Sequence, residues 1–171
     1  DSTPLLALPF FVLAGDVMMF GGISRRLVNG CMSMIKNIPG ALGCVAVLGC
    51  MVFAAISGSG PATAAAIGGI LMPAMYKDGY DNNFSASMIA AAGALGPVIP
   101  PSLSFIMYGV VAQQSITTLF TAGIVPGILM GIALMIYTIY CAKRYNFGGK
   151  SDWHAEKPKS WRDSAFWAVM V

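Results

Sequence analysis

The sequence predicts an all-α membrane protein, because it is far more apolar than a soluble domain and its apolar runs have the lengths of helices. Hydrophobic residues make up 57% of the 171 positions and charged residues 10%, whereas soluble domains carry about 25% charged residues. Residues 37–76 and 82–142 contain no charged residue at all. Each run is interrupted by a Gly- and Pro-containing segment, 57–63 in the first and 96–102 in the second. An uninterrupted helix does not tolerate such segments, so we expect two broken or re-entrant elements.

The first apolar run, residues 4–20, is long enough to cross a membrane once at a rise of about 1.5 Å per residue. Asp16 interrupts this run. An acidic residue inside a membrane helix is a functional candidate. The alternative is that Asp16 lies near the inner end of the helix and pairs with Arg25 or Arg26.

Residues 23–38 have the pattern of a helix that lies in the membrane interface. Four apolar residues share one helical face, and the basic residues lie largely elsewhere; the four are Ile23, Leu27, Cys31 and Met34. Such an amphipathic helix favours the plane between headgroups and acyl chains. The positive-inside rule places it on the cytoplasmic side.

Residues 38–76 are compatible with two full crossings or with one re-entrant hairpin whose tip is 57–63. Both arrangements return the chain to the side where Lys77 lies, so loop charge does not decide between them. The second arm, 61–76, would span only about 24 Å, short of a hydrocarbon core of about 30 Å. The tip also lacks a charged residue or an interfacial Trp or Tyr. We therefore favour the re-entrant hairpin.

One membrane crossing made of two half-helices is predicted over residues 84–112. A helix that crosses back is predicted over residues 119–142. The basic stretch that follows places residues 143–162 in a cytoplasmic loop. Residues 163–171 begin a further helix that is cut short. The membrane domain is thus predicted to span residues 1–142.

The absence of Asp, Glu, His, Lys and Arg from both uncharged runs excludes several functions. A proton relay needs titratable residues, and a nucleophilic serine needs a base. We therefore expect no enzyme, and coupling to Na⁺ rather than H⁺. Basic residues grouped in loops indicate orientation in the lipid bilayer rather than binding of nucleic acid. The four cysteines form no C-x-x-C pair, so we expect no metal other than sodium and no organic cofactor.

The two breaks have the chemistry of a binding site. Pro61 suits the first turn of a helix, whose free N–H groups favour an anion. The preceding arm ends at the same place with carbonyl oxygens, and Pro101 and Ser102 begin another helix after the second break. Neutral oxygens at opposed breaks resemble the alkali-cation sites of transporters with discontinuous helices. The alternative is a pair of kinks that only shape packing.

Several motifs together, rather than any single one, carry a family resemblance over residues 4–127. They are Ala7-Leu8-Pro9-Phe10-Phe11, Ala14-Gly15-Asp16-Val17-Met18, Gly22-Ile23-Ser24-Arg25-Arg26-Leu27, Ser57-Gly58-Ser59-Gly60-Pro61-Ala62-Thr63, Gly79-Tyr80, Gly96-Pro97-Val98-Ile99-Pro100-Pro101-Ser102 and Gly123-Ile124-Val125-Pro126-Gly127. In this order they resemble the N-terminal half of the large, DctM-like membrane subunit of tripartite ATP-independent periplasmic (TRAP) transporters.

The resemblance implies one half of an inverted-repeat, elevator-type transporter in the bacterial inner membrane, with multiple crossings. It implies sodium-coupled import of organic acids, either C4-dicarboxylates or acidic sugars. The implied partners are a small TRAP membrane subunit and a periplasmic solute-binding protein. A channel subunit, with the breaks lining a filter, is the alternative function. A structural scaffold is a third reading, but it leaves the double break unexplained.

The same resemblance makes the two breaks a joint site for sodium and part of the substrate. We expect hydroxyl groups and backbone carbonyls to bind Na⁺ from Ser57, Gly58, Ser59, Thr63, Gly96, Ile99 and Ser102. We expect the substrate to contact Ser59, Gly60, Pro61, Ala62, Thr63, Pro100 and Pro101.

Overall fold

A computed structural model describes residues 22–35 and 38–147, and only positions 9, 10, 13 and 17 of the stretch before them. The described residues form six α-helices and no strand, so the prediction of an all-α chain is confirmed for this part. The helices are α1 (Ile23–Ile35), α2 (Ala41–Ser57), α3 (Gly60–Lys77), α4 (Asn82–Gly93), α5 (Leu103–Val111) and α6 (Ile116–Tyr145). Apart from those four positions, the predicted helix 4–20 lies outside the described residues. So do Asp16, the end of the predicted loop and segment 163–171.

Helix α2 is the centre of the fold, and it packs against α1, α3, α4 and α6. Its sequence is apolar on all sides, which is the pattern of a buried helix. Accordingly, Leu42, Val45 and Phe53 are almost completely buried. A connection of two residues, Gly58 and Ser59, joins α2 to α3, and the two helices pack together as a hairpin.

Helix α1 is most deeply buried along a face next to the predicted apolar face. Val28, Met32 and Ile35 are buried, on a helix that packs against α2 and α3. Of the predicted face, Leu27 and Cys31 are half-buried against the core, and Met34 is 83% exposed. The helix is described from Ile23 to Ile35, and the predicted last residue, Ile38, is not helical. Pro39 follows Ile38 directly and disfavours helical backbone there.

Helices α4 and α5 correspond to the two parts of the predicted broken helix, and residues 94–102 between them form turns. The Asp81 carboxylate begins α4 by accepting a hydrogen bond from the Phe84 N–H at 2.9 Å. Ser102 is the N-cap of α5, and its hydroxyl accepts from the Phe105 N–H at 3.4 Å. An N-cap side chain of this kind fixes where a helix starts. The two half-helices are thus separate elements with their own caps.

Helix α6 is 30 residues long, about 45 Å at the usual rise. Among the described helices it is the one that is long and apolar enough to cross a membrane, with a mean hydropathy of 2.2 in its most apolar window. It starts at Ile116, before the predicted residue 119, and continues through Pro126. Most of its large apolar side chains are exposed, including Leu129 and Ile136. Lipid is the natural surrounding for such a surface.

An aromatic cluster around Tyr80 connects the first turn of α2 with the chain just after α6. The ring of Tyr80 stacks with Phe84 at 6.2 Å and with Phe147 at 5.8 Å between centroids. Its hydroxyl accepts a hydrogen bond from the Gly43 N–H at 3.4 Å. This N–H belongs to the first turn of α2, where backbone donors have no helical partner. Tyr80 therefore supplies the acceptor that the N-cap, Gly40, has no side chain to provide.

Candidate ion site at the two helix breaks

The first break is a tight turn with two buried hydroxyl groups. Gly58 ends α2 in the left-handed conformation at φ 60°, and its N–H donates to the Ala54 carbonyl at 2.8 Å. Glycine adopts this backbone without steric penalty. Ser57 and Thr63 lie on either side of the turn and are 3% and 0% exposed. Their hydroxyl oxygens are 3.0 Å apart, so the turn brings two polar oxygens together inside the protein.

The start of α3 is held by Thr63 and Ser59. The Thr63 hydroxyl donates to the Ser59 carbonyl at 2.7 Å, and the Thr63 N–H donates to the same oxygen at 3.0 Å. Ser59 has extended backbone as the N-cap, and Pro61 follows within the first two residues of the helix. Proline is favourable there because the missing N–H has no helical partner in the first turn.

The second break is organised by one carbonyl and one hydroxyl. The Leu95 carbonyl accepts from the N–H groups of Val98 at 3.0 Å and Ile99 at 2.8 Å. The buried Ser102 hydroxyl donates to the Pro97 carbonyl at 2.7 Å. The bond from Pro100 to Pro101 is cis. Ser102 therefore closes the turn on one side and caps α5 on the other.

The backbones of the two breaks are in direct contact. The Leu103 N–H donates to the Gly58 carbonyl at 3.4 Å. A Cβ on Gly96 would lie 2.7 Å from the Gly60 nitrogen, and a Cβ on Gly60 would lie 3.1 Å from the Gly93 carbonyl oxygen. Real Cβ atoms do not approach backbone this closely, so glycine is required for the contact at Gly96. Four helix ends consequently meet here: the C-termini of α2 and α4 and the N-termini of α3 and α5.

Counting lone pairs shows which oxygens could still bind a cation. The Ser59 carbonyl already accepts two hydrogen bonds from Thr63, which occupies both of its lone pairs. The hydroxyls of Thr63 and Ser102 donate their protons to carbonyls, so their oxygens keep acceptor capacity. Ser102 uses one lone pair for the α5 cap and retains the other. Because the Thr63 proton goes to the Ser59 carbonyl, the Ser57 hydroxyl donates in the Ser57–Thr63 pair and occupies one lone pair of Thr63. Ser57 itself accepts from the Ser59 N–H at 3.4 Å. Ser57, Thr63 and Ser102 are therefore buried hydroxyl oxygens that each keep one lone pair for a cation.

The site combines a lack of formal charge with the partial charges of helix ends. Residues 38–76 and 82–142 contain no ionisable acid or base other than Cys and Tyr. Helix C-termini carry about half a negative charge and N-termini about half a positive charge. Two ends of each kind meet, so the region can favour a small cation and an anionic group side by side. In the described part of the chain, no three His, Cys, Asp or Glu residues are grouped as metal ligands.

The predicted site residues lie on the two contacting segments, but not all in the same environment. Ser59 and Gly60 lie in the contact with Gly96. Pro61 is exposed, whereas Ala62, Pro100 and Pro101 are half-buried. Ile99 also faces α6, a contact that the sequence analysis did not anticipate.

The sequence analysis also missed Gly93. A Cβ on Gly93 would lie 2.7 Å from the Ala64 Cβ and 3.2 Å from the Gly60 carbonyl oxygen. Gly93 is the last residue of α4 and comes directly before the second break. Glycine at the end of a helix next to a Pro-containing break was the signal in the sequence.

Comparison with known proteins gives one consistent result. The family model "Tripartite ATP-independent periplasmic transporter, DctM component" matches residues 1–171. The chain is 48% identical over 174 residues to the isethionate TRAP transporter permease protein DctMQ of Oleidesulfovibrio alaskensis, covering 100% of this chain and 27% of that protein. It is 42% identical to the 2,3-diketo-L-gulonate TRAP transporter large permease protein YiaN of Escherichia coli, covering 100% of this chain and 40% of that protein.

A third relative is the C4-dicarboxylate TRAP transporter large permease protein DctM of Pseudomonas aeruginosa. It is 46% identical over 82% of this chain and 33% of its own length. The chain thus spans well under half the length of these curated relatives. The resemblance inferred from the motifs is confirmed, and the family is one of transporter permeases rather than enzymes. This chain belongs to the DctM family of TRAP transporter permease components.

Proposed function

We propose that this chain is part of the large permease subunit of a TRAP transporter that imports small organic acids together with Na⁺. The observation that carries the proposal is the backbone contact between the two helix breaks, at Gly58–Leu103 and Gly60–Gly96. A pair of kinks that only shaped packing would not need to meet. Here the breaks meet where three buried hydroxyls lie.

Sodium fits the chemistry of these oxygens. Na⁺ is a hard cation that neutral hydroxyl and carbonyl oxygens can hold, and the uncharged runs provide no group for a proton relay. The expected ligands are the hydroxyls of Ser57, Ser59, Thr63 and Ser102 and the carbonyls of Gly58, Gly96 and Ile99. Among these hydroxyls, Ser57, Thr63 and Ser102 are the three that are buried, and each keeps a lone pair for the ion.

The substrate is expected to be an organic anion. The names of the relatives specify isethionate, 2,3-diketo-L-gulonate and C4-dicarboxylates, all of which carry a negative charge. The N-terminus of α3, an 18-residue helix that begins at Gly60, favours an anionic group through its free N–H groups. Residues 59–63, Pro100 and Pro101 would contact this group.

The family suggests the setting in which this site works. The protein would lie in the bacterial inner membrane, with α2 and α3 as a re-entrant hairpin in one half of an inverted-repeat, elevator-type carrier. A small membrane subunit and a periplasmic solute-binding protein would complete the system. One relative is named DctMQ, which suggests that the large and small subunits are fused there.

Uptake by the full-length permease with its partner subunits tests this function. We expect saturable uptake that requires the binding protein and is inhibited by competing organic acids. The matched uncharged amides should not compete, because they offer no anion to the start of α3. Uptake without the binding protein, at a rate that does not saturate, would instead indicate a channel.

A further inference from the structure

Two glycines of α6 lie against the second break. A Cβ on Gly123 would lie 2.6 Å from the Val98 carbonyl oxygen and would also clash with the Phe105 ring. A Cβ on Gly127 would lie 2.8 Å from the Ile99 Cγ1. Both glycines are buried on a helix whose other surfaces are largely exposed. The contact between α6 and the break therefore depends on the absence of these two side chains.

The same short segment is also held by the hydrogen bonds of its own turn. The N–H groups of Val98 and Ile99 both donate to the carbonyl of Leu95, a completely buried residue. Residues 98 and 99 are thus hydrogen-bonded to a buried residue and also contact the glycine face of α6. A segment held in both ways has little freedom to move away when α6 becomes bulkier.

A third glycine on the same face provides a comparison. Gly131 lies one turn further along α6, and a Cβ there would clash with the Met51 side chain of α2. Met51 is flexible near its sulfur and does not belong to either break. Crowding at Gly131 can be relieved by a change of the Met51 rotamer. Crowding at Gly123 meets the Val98 backbone, and crowding at Gly127 meets the stem of the β-branched Ile99 side chain, which has few alternative rotamers.

We propose that Gly123 and Gly127 are positioning residues for the ion site, because they set the place of the Val98–Ile99 segment. The proposal rests on the proposed function, in which the Ile99 carbonyl is a sodium ligand. Neither glycine contacts the ion. Each acts through the segment that it allows to lie close to α6, and added bulk would displace that segment and weaken the binding of sodium.

The test uses the full-length transporter with its partner subunits in proteoliposomes, with sodium varied at fixed pH and ionic strength. Gly127→Ala should raise the half-saturating sodium concentration by roughly tenfold, a displacement cost in the usual range for overpacking. The maximal rate at saturating sodium should stay near that of the wild type. Gly131→Ala, the matched control, should leave the sodium dependence unchanged.

A second substitution separates positioning from general damage. Ile99→Ala removes the atom that a Cβ at position 127 would meet, and alone it should also raise the half-saturating sodium concentration by loosening the segment. In Gly127→Ala/Ile99→Ala the new methyl group fills part of the vacated space. The double variant should therefore be closer to the wild type than either single variant.

Three outcomes would overturn the proposal. The first is a sodium dependence that is the same for Gly127→Ala and Gly131→Ala. The second is a lower maximal rate of Gly127→Ala with an unchanged half-saturating sodium concentration. The third applies if Gly127→Ala is not recovered from membranes. It is a half-saturating sodium concentration of Ile99→Ala that equals that of the wild type. In these cases sodium-dependent wild-type uptake leaves the proposed function intact, whereas wild-type uptake that ignores sodium overturns both.

Discussion

Replacing Thr63 by valine removes one hydroxyl from the centre of the proposed ion site while keeping the shape of the side chain. Thr63 is completely buried, and its hydroxyl lies 3.0 Å from the Ser57 hydroxyl and 2.7 Å from the Ser59 carbonyl. After the substitution the Ser59 carbonyl keeps its bond from the backbone N–H of residue 63, at 3.0 Å. The Ser57 hydroxyl also remains within 3.4 Å of that carbonyl. No buried acceptor is left without a donor.

The hydrogen bonds of Thr63 determine the expected changes in stability and in sodium affinity. The Thr63 hydroxyl makes two neutral hydrogen bonds, with the Ser57 hydroxyl and the Ser59 carbonyl, and both partners keep another bond after the substitution. Their loss should reduce the free energy of unfolding by about 1–3 kcal/mol, at about 0.5–1.5 kcal/mol for each bond. The loss of a polar ligand to the ion should cost about 1–3 kcal/mol, or roughly five- to 150-fold in sodium affinity. Thr63→Ser is the matched control: it keeps the oxygen and loses only a buried methyl group, worth about 0.8 kcal/mol.

The assay pairs sodium-dependent uptake by the full-length transporter with thermal unfolding in sodium and in potassium at equal ionic strength. For the wild type and Thr63→Ser, sodium should raise the unfolding temperature, because a ligand that binds only the folded state stabilises it. Thr63→Val should need a higher sodium concentration for the same effect. The reasoning is refuted if Thr63→Val unfolds at a lower temperature by the same amount in both salts and keeps the wild-type sodium dependence of uptake. The hydroxyl would then serve only the turn.

Three further predictions concern other parts of the chain. Ser102→Ala should lower stability by about 0.5–2 kcal/mol through loss of the α5 cap and should weaken sodium binding, whereas Ser102→Thr, which keeps the hydroxyl, should retain most of the cap. Equal stability of Ser102→Ala and wild type in thermal unfolding would contradict the capping role. Burial raises the pKa of Tyr80 to about 12 from an ordinary value of 10.0, so its contribution to stability should be present below pH 10 and fall as pH rises toward 12. Tyr80→Phe should remove that pH dependence together with the bond from Gly43, and an unchanged pH profile of unfolding would refute this. Single cysteines in a background without native cysteine should react with a membrane-impermeant reagent in whole cells at position 113 but not at position 77, and the reverse would overturn the topology.

The positions of both breaks could be predicted from sequence because glycine and proline act locally. Gly58 needs a left-handed backbone, Pro61 suits a helix start, and Ser102 is a typical N-cap residue. From sequence, Ser102 was assigned as an ion ligand and placed at the start of a helix, but its hydroxyl was not assigned as the cap. A serine directly before an apolar helix is itself the signal for the capping role.

The contacts between segments could not be predicted in the same way. The Gly60–Gly96 contact joins residues 36 positions apart in the chain, and nothing local specifies that they meet. Helix α1 shows a different limit. It has one apolar face in Val28 and Met32 and another in Leu27 and Met34, and both lipid and protein accept an apolar face. Periodicity therefore does not decide which face packs against α2.

The central claim is that sodium bound between the two breaks drives the uptake of an organic acid. The most direct measurement is uptake by the full-length permease with its partner subunit and binding protein in proteoliposomes, under an inward sodium gradient alone and under an inward proton gradient alone at matched membrane potential. The account predicts accumulation of substrate with the sodium gradient and none with the proton gradient. Equal accumulation driven by protons in the absence of sodium would contradict it.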